Sequence, residues 1–506
     1  MISPQVALTA LHTVPSGNPA ALIKAVSEAL KHGHAAAAEP LLAAATAAAP
    51  RNAQLWQFLG LARRDLQDSA GAHTAFTRAA SLIPNDPLIA HSQARTALEA
   101  GYPAVPLFNR ARLLAPSDGS VVLGRCAALF AAGEGEAACD QLASLLGASP
   151  GWSEGHLAYA RLSAQVRPGQ PIDATLRAAL KLHPASGGLW SLVFQVWTEA
   201  RDYARAIAAV AEARAALGPD PELDRIEAVC LTELGEAASA QALFDKLPLP
   251  TDGEAATWPI RNYLRLGRYD EARLLSEQDY TGRNEAALWP YRALIWRLLD
   301  DPRWQWLEGD ERLIGTFDIA ADAGPLNQLA EVLRSLHAAK AQPLDQSVRG
   351  GTQTDGNLLA RAEPEIRRLR AALLEAVRNH VDQLPPPDPA HPMLLAQRES
   401  LQVAGSWSVR LTDKGFHADH VHCQGWISSA FYVAVPEPAP NAAPEAGWLA
   451  FGECRDVLPD LAAFRTVEPA PGKLVLFPSI LWHGTRPFDS GERMTVAFDI
   501  ARPPQA

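Results

Sequence analysis

Six prolines, Pro50, Pro84, Pro116, Pro150, Pro184 and Pro219, recur through the first half of the chain at steps of 34, 32, 34, 34 and 35 residues. No other feature restricts the fold as much, because a fixed step of this size is what a stack of helix pairs leaves in a sequence. The residues between these prolines are rich in alanine and leucine, both strong helix formers. A proline placed after the second helix of each pair ends it, since it has no amide hydrogen to donate. In the unit that closes at Pro84, Trp56, Leu59 and Gly60 fall in the first helix and Ala72, Phe76 and Ala79 in the second. The small residues allow two antiparallel helices to approach and the large ones fill the space between them. Ala104, Phe108 and Ala111 repeat the arrangement before Pro116, and Ala138, Ala179, Ala206 and Ala213 keep a reduced form of it.

This pattern resembles the tetratricopeptide repeat, over roughly residues 20–245. The resemblance implies an all-α solenoid that binds a protein or peptide, or that mediates self-association; it implies no chemistry. Residues 250–340 read as helical without the period, and their aromatic stretch, with Trp289, Trp296, Trp304 and Trp306, is expected to seal a domain junction. The polar, glycine-rich RGGTQTDGN run, Arg349 to Asn357, reads as a linker or a mobile active-site loop. A helix over about 364–384 is expected to stop at the prolines 385–387.

With 506 residues the chain is too long for one core and implies two to four domains. A net charge of -11 argues against non-specific nucleic-acid binding, which wants a basic face. Cys126, Cys139, Cys230, Cys423 and Cys454 are odd in number and scattered, which fits reduced thiols in a cytoplasmic compartment. The opening MISPQVALTALHTVPSG lacks the pattern of a signal peptide, and no apolar run approaches the roughly 18 residues of a membrane helix.

From about Ser406 the spacing changes to that of short strands: SWSVRL, GWISSAFYVAVP, GWLAFG, GKLVLFP and RMTVAFDI. Such a set predicts a sandwich, jelly roll or barrel. Two histidine sites flank it. FHADHVHCQGW carries His417, Asp419, His420 and His422, and LFPSILWHGTRPF carries His483. Strand alternation places His420 and His422 on one side and His417 and Asp419 on the other, so either pair can join His483 around one metal. Three protein ligands leave positions open on an octahedral iron. Arg493, ten residues after His483, can grip a carboxylate bidentately, and Thr495 shares its face. The blander alternative is an ion pair of Arg493 with Asp489 or Glu492.

These residues resemble the double-stranded β-helix (jelly-roll, cupin-like) of the iron(II)/2-oxoglutarate oxygenase superfamily. PGKLVLFPSILWHGTRPFDSGERMTVAFDI is similar to its distal-histidine and arginine strands, and HVHCQGWISSAFYVAVP, with RGGTQT, resembles a bacterial oxygenase family often joined to tetratricopeptide repeats. The resemblance implies His420 as proximal and His483 as distal iron ligand. It implies Arg493 holding the far carboxylate of 2-oxoglutarate, with Thr495 and Tyr432 assisting, and molecular oxygen as co-substrate. One departure stands out: histidine, His422, occupies the place of the usual carboxylate, while the standard letters His417 and Asp419 lie three residues earlier. The expected organisation is α+β and multidomain: a repeat domain over 1–248, a helical connection over 249–340 and a barrel over 341–506. Three functions remain open. One is an oxygenase hydroxylating a protein or peptide. The others are a repeat scaffold with an inactive barrel, and a three-histidine zinc hydrolase.

Overall fold

The structure, a computed structural model, describes residues 3–14, 18–280, 282–437 and 441–504. The chain forms two compact units, one of residues 1–141 with 356–367 and one of residues 142–355 with 368–506.

In the first unit the helix pairs follow the prolines. The helices Ala35–Ala48, Ser69–Leu82 and Val105–Leu114 each stop one or two residues before Pro50, Pro84 and Pro116. Two residues after each proline, Asn52, Asp86 and Asp118 cap the next helix by accepting from its first free amides. Gly60 shows why a small residue sits between helices: a Cβ there would lie 2.7 Å from the Phe76 ring. We expect Gly60→Ala to lower the thermal stability of this unit by about 1 kcal/mol, because overpacking at ~1–3 kcal/mol outweighs the ~1 kcal/mol gain in helix propensity. Thermal unfolding checks this, and a stabilised variant would show that the ring can give way. Residues 356–367 also belong here, with the Ala362 amide donating to the Ala100 carbonyl at 3.0 Å.

In the second unit the repeats continue from Ser153–Val166 to Tyr269–Ser276. A similar tie crosses three of the turns. The Trp190 indole donates to the Pro184 carbonyl at 2.9 Å. His156 Nε2 meets the Pro150 carbonyl at 3.0 Å, as the Trp56 indole meets that of Pro50 at 3.1 Å in the first unit. The later helices pack on loops that join the strands of the sheet: Ile260, Leu264, Leu294 and Ile295 share one core with Cys454, Val457, Leu458 and Trp482. The aromatic stretch lies in this contact, with Trp304 edge-on to Phe464 at 5.5 Å and the Trp482 indole bonded to the Pro290 carbonyl.

Among the described residues the sheet has nine strands: β1 (Gly315–Asp318), β2 (Val348–Gln353), β3 (Val403–His420), β4 (Gly425–Ala434), β5 (Leu449–Phe451), β6 (Arg465–Val467), β7 (Lys473–Pro478), β8 (His483–Thr485) and β9 (Arg493–Ala501). All pair antiparallel, in the order β1-β7-β4-β9-β3-β8-β5-β6, with β2 on β3. The architecture is therefore a helical repeat region followed by a curled antiparallel sheet. Two local expectations are corrected. β1 lies within the stretch read as helical, and the glycine-rich run read as a loop is β2, whose Gly351 opposes Leu411 so closely that a Cβ would meet the Arg410 carbonyl at 2.4 Å. Among the described residues, no helix is long and apolar enough to cross a membrane.

Candidate metal centre

One strand pairing brings two of the histidines together. In the β3–β8 ladder, His420 is the direct partner of His483, and directly opposed residues carry their Cβ atoms about 5 Å apart. Their ring centroids are 4.2 Å apart, and the His422 ring lies 5.0 Å from His420 and 5.4 Å from His483. One ring nitrogen from each of the three lies within 4.8 Å of the others. The opposite nitrogens are all engaged. His420 Nδ1 meets the Ala418 carbonyl at 2.9 Å, His483 Nδ1 meets the Leu481 carbonyl at 2.9 Å, and His422 Nδ1 meets Asp499 Oδ2 at 2.6 Å. Each acceptor fixes the proton on Nδ1, so each ring keeps the lone pair of Nε2 for a cation. Burial, reinforced by the neighbouring rings, holds His420 well below the usual histidine range and takes His483 down to about 3. Both are neutral at neutral pH and can bind a cation without first releasing a proton.

Strand alternation does not describe this site fully. β3 ends at His420, and His422 sits in the following turn, its amide donating to the Ser479 carbonyl at 2.8 Å. His417 pairs with Thr485 and His420 with His483, so three steps on β3 match two on β8. The extra residue is a bulge. It turns His417 to the same side as His420, where it lines the pocket with its Nδ1 on Ser347 Oγ at 2.9 Å. Asp419 points elsewhere and accepts from the Arg455 backbone and Nε, both at 2.8 Å. The alternative pair His417 and Asp419 is therefore not brought together, and Asp419 orients an arginine rather than a histidine. Asp419→Asn should leave Co(II) affinity within about twofold of the parent, yet cost about 2 kcal/mol by stranding a part-buried guanidinium. Metal titration beside thermal unfolding separates the two effects, and a lost metal site would return Asp419 to the ligand set.

Along β9, Arg493, Thr495, Ala497 and Asp499 all face the pocket, as a period of two requires. Arg493 is 2% exposed, and its guanidinium carbon lies 5.0 Å from the centre of the Tyr432 ring. Burial lowers its affinity for the proton, though a guanidinium stays charged. Glu492 is taken by Arg334 and Arg410, and no carboxylate among the described residues pairs with Arg493. Its Nε is buried without a hydrogen-bond partner, and the Tyr432 hydroxyl has none besides the guanidinium itself. An unpaired buried cation costs several kcal/mol. A buried cation with a hydroxyl beside it and no carboxylate of its own therefore fits an anionic carboxylate ligand, and Thr495, opposite Tyr432 in the β4–β9 pairing, adds a third polar group.

Other residues fall into place around these. Trp407 is half-buried, lines the pocket and stacks on His422 at 5.8 Å and 27°. Trp426 and Trp482 are core residues, 1% and 5% exposed. The Cys423 thiol is raised to about 11 by burial and stands outside the histidine cluster. From the segment before β2, Gln346 and Ser347 line the pocket. Asp499 is the site residue that sequence reasoning missed, although three steps of two from Arg493 arrive at it.

Helix-pair repeats are thus joined to a curled antiparallel sheet whose pocket gathers histidines and a buried arginine. Residues 405–499 match the family described as "Putative 2OG-Fe(II) oxygenase", and this span contains the histidines, Tyr432, Arg493, Thr495 and Asp499. The C-terminal domain is of that general kind, and the family description implies iron(II) and 2-oxoglutarate. No curated protein matches the chain. Among solved structures, the chain is similar to a tetratricopeptide repeat protein from Parabacteroides merdae, at 18% identity, covering 50% of this chain and 96% of that one with a TM-score of 0.30. It is similar to a Pseudomonas putida prolyl-4-hydroxylase at 18% identity, covering 41% and 97% with a TM-score of 0.28. It is also similar to HygX from Streptomyces hygroscopicus with nickel and 2-oxoglutarate bound, at 15% identity, covering 37% and 82% with a TM-score of 0.26.

Proposed function

We propose that this chain is an iron(II)- and 2-oxoglutarate-dependent oxygenase that hydroxylates a protein or peptide held by its helical repeats. The single observation that carries the reading is a buried, unpaired guanidinium in the same pocket as three imidazoles with free Nε2 lone pairs. His420, His422 and His483 would hold iron(II), and Arg493, helped by Tyr432 and Thr495, would grip the distal carboxylate of 2-oxoglutarate. Iron(II) with 2-oxoglutarate and molecular oxygen supplies the oxidising power, leaving succinate and carbon dioxide. The protein's part is to orient and to exclude water. Arg493 and Tyr432 fix one end of the keto acid so that the other end faces the histidines. The apolar walls of Leu449, Phe477 and Ala430 keep the pocket dry around the charged groups.

Modules over 1–248, 249–340 and 341–506 would divide the work into partner binding, connection and chemistry. A peptide substrate is favoured by where the repeats meet the barrel. Leu344 packs into the core of Trp190, Phe194 and Trp197, and the Asp345 amide donates to the Glu199 carbonyl. Arg201 pairs with Asp456 at 3.0 Å. A chain held on these helices would lie beside Gln346 and Ser347 at the pocket wall. Free thiols at all five cysteines suit a reducing, cytoplasmic setting. A zinc hydrolase has no use for a carboxylate grip beside its metal, which leaves Arg493 unexplained.

Aerobic incubation of the full chain with iron(II) and 2-oxoglutarate tests the activity. Slow formation of succinate, abolished in His483→Ala, is the expected result. A folded protein that binds both and forms no succinate would instead support a binding role for the barrel.

A further inference from the structure

We propose that Asp499 is a positioning residue of the metal centre, aiming His422 at the cation and supplying from behind its ring the negative charge that a His-x-Asp motif places on the metal directly. The inference rests on His420, His422 and His483 being the ligands. With histidine in the carboxylate's place, that ligand set carries no charge of its own, and Asp419, the nearby acid, is taken up by Arg455. Asp499 is the carboxylate that remains. Its Oδ2 lies 2.6 Å from His422 Nδ1, and its Oδ1 accepts from Ser428 Oγ at 2.6 Å. Ser428 Oγ in turn lies 2.9 Å from Ser479 Oγ, and the Ser479 carbonyl accepts the His422 amide. The imidazole is thus held at its edge by Asp499, at its face by Trp407 and at its backbone by Ser479, three contacts that a residue in a turn needs if its ring is to hold one orientation. A carboxylate on the far nitrogen also raises the basicity of Nε2 toward a metal.

The test is an anaerobic titration of the full chain with Co(II), followed through the visible absorption of the bound ion. Asp499→Asn, which keeps the size of the side chain and removes its charge, should raise the dissociation constant roughly 10- to 100-fold. In a His422→Ala background the same substitution should change it by less than about twofold, since the residue acts through that ring. An unchanged affinity in Asp499→Asn, or an equal loss in both backgrounds, would overturn the inference in favour of a purely structural carboxylate. If Asp499→Asn does not fold, Ser428→Ala serves instead, with a smaller loss in the same direction expected and unchanged affinity counting against the inference. A parent protein that takes up no Co(II) would overturn the ligand reading, and the inference with it, which sets that failure apart from the others.

Discussion

Replacing Arg493 by alanine should weaken 2-oxoglutarate binding by about thirtyfold or more while Co(II) affinity stays close to that of the parent. The guanidinium is buried and has no carboxylate of its own, so in the complex its pairing with the ligand is the main charge-assisted contact in a water-poor site. Truncating one member of such a pair costs about 2–5 kcal/mol, and each ~1.4 kcal/mol is tenfold in affinity. The metal is spared because His420, His422 and His483 take their orientation from Ala418, Asp499 and Leu481 and not from Arg493. Stability should move the other way. Arg493→Met removes an uncompensated buried cation and fills its space, so the ligand-free variant should melt no lower than the parent, while added 2-oxoglutarate should raise the melting temperature of the parent alone. Isothermal titration and thermal scans give both readings. An Arg493→Ala protein that binds 2-oxoglutarate like the parent would remove the cosubstrate from this pocket.

His483→Ala should reduce metal affinity by about two to three orders of magnitude. A closed four-ligand zinc site is worth ~10–16 kcal/mol, or roughly 3 kcal/mol for each ligand, and His483 would be the ligand that joins the two halves of the cluster, since it is the strand partner of His420. His417→Ala, by contrast, removes a ring bonded to Ser347 and should leave Co(II) binding nearly intact. Equal losses in the two variants would mean that the bulge in β3 has brought His417 into the ligand set.

The residues of this site were unequally legible in the sequence. Arg493 and Thr495 lie two apart on β9, so spacing alone set their common face, while His483 was singled out by its place ten residues before Arg493. His420 could be read from the same rule, but His422 could not: it lies beyond the end of β3 in a turn, and its direction depends on Ser479 and Asp499 from distant parts of the chain. The bulge between His417 and His420 reversed the expected face of His417, and a bulge leaves no trace in the pattern of one strand because it exists only relative to its partner. The roles of Asp419 and Asp499 were likewise fixed by partners far along the chain, Arg455 and His422. In the fold, the proline period read out the helix pairs well, because each proline and the cap that follows it act locally. β1 escaped notice as a four-residue strand, GTFD, with no period to recognise, and it forms because β7 offers it a ladder. β2 was hidden by its glycines, which lower strand propensity but here let the backbone approach Arg410 and Leu411.

The most direct measurement is the visible spectrum of the full chain mixed with iron(II) and 2-oxoglutarate under strict exclusion of oxygen. Shared chelation of one iron by the histidines and the keto acid should give a weak charge-transfer band that needs both additions and disappears in His483→Ala. A folded parent that shows no such band, or a His483→Ala protein that keeps it, would contradict the assignment of this pocket.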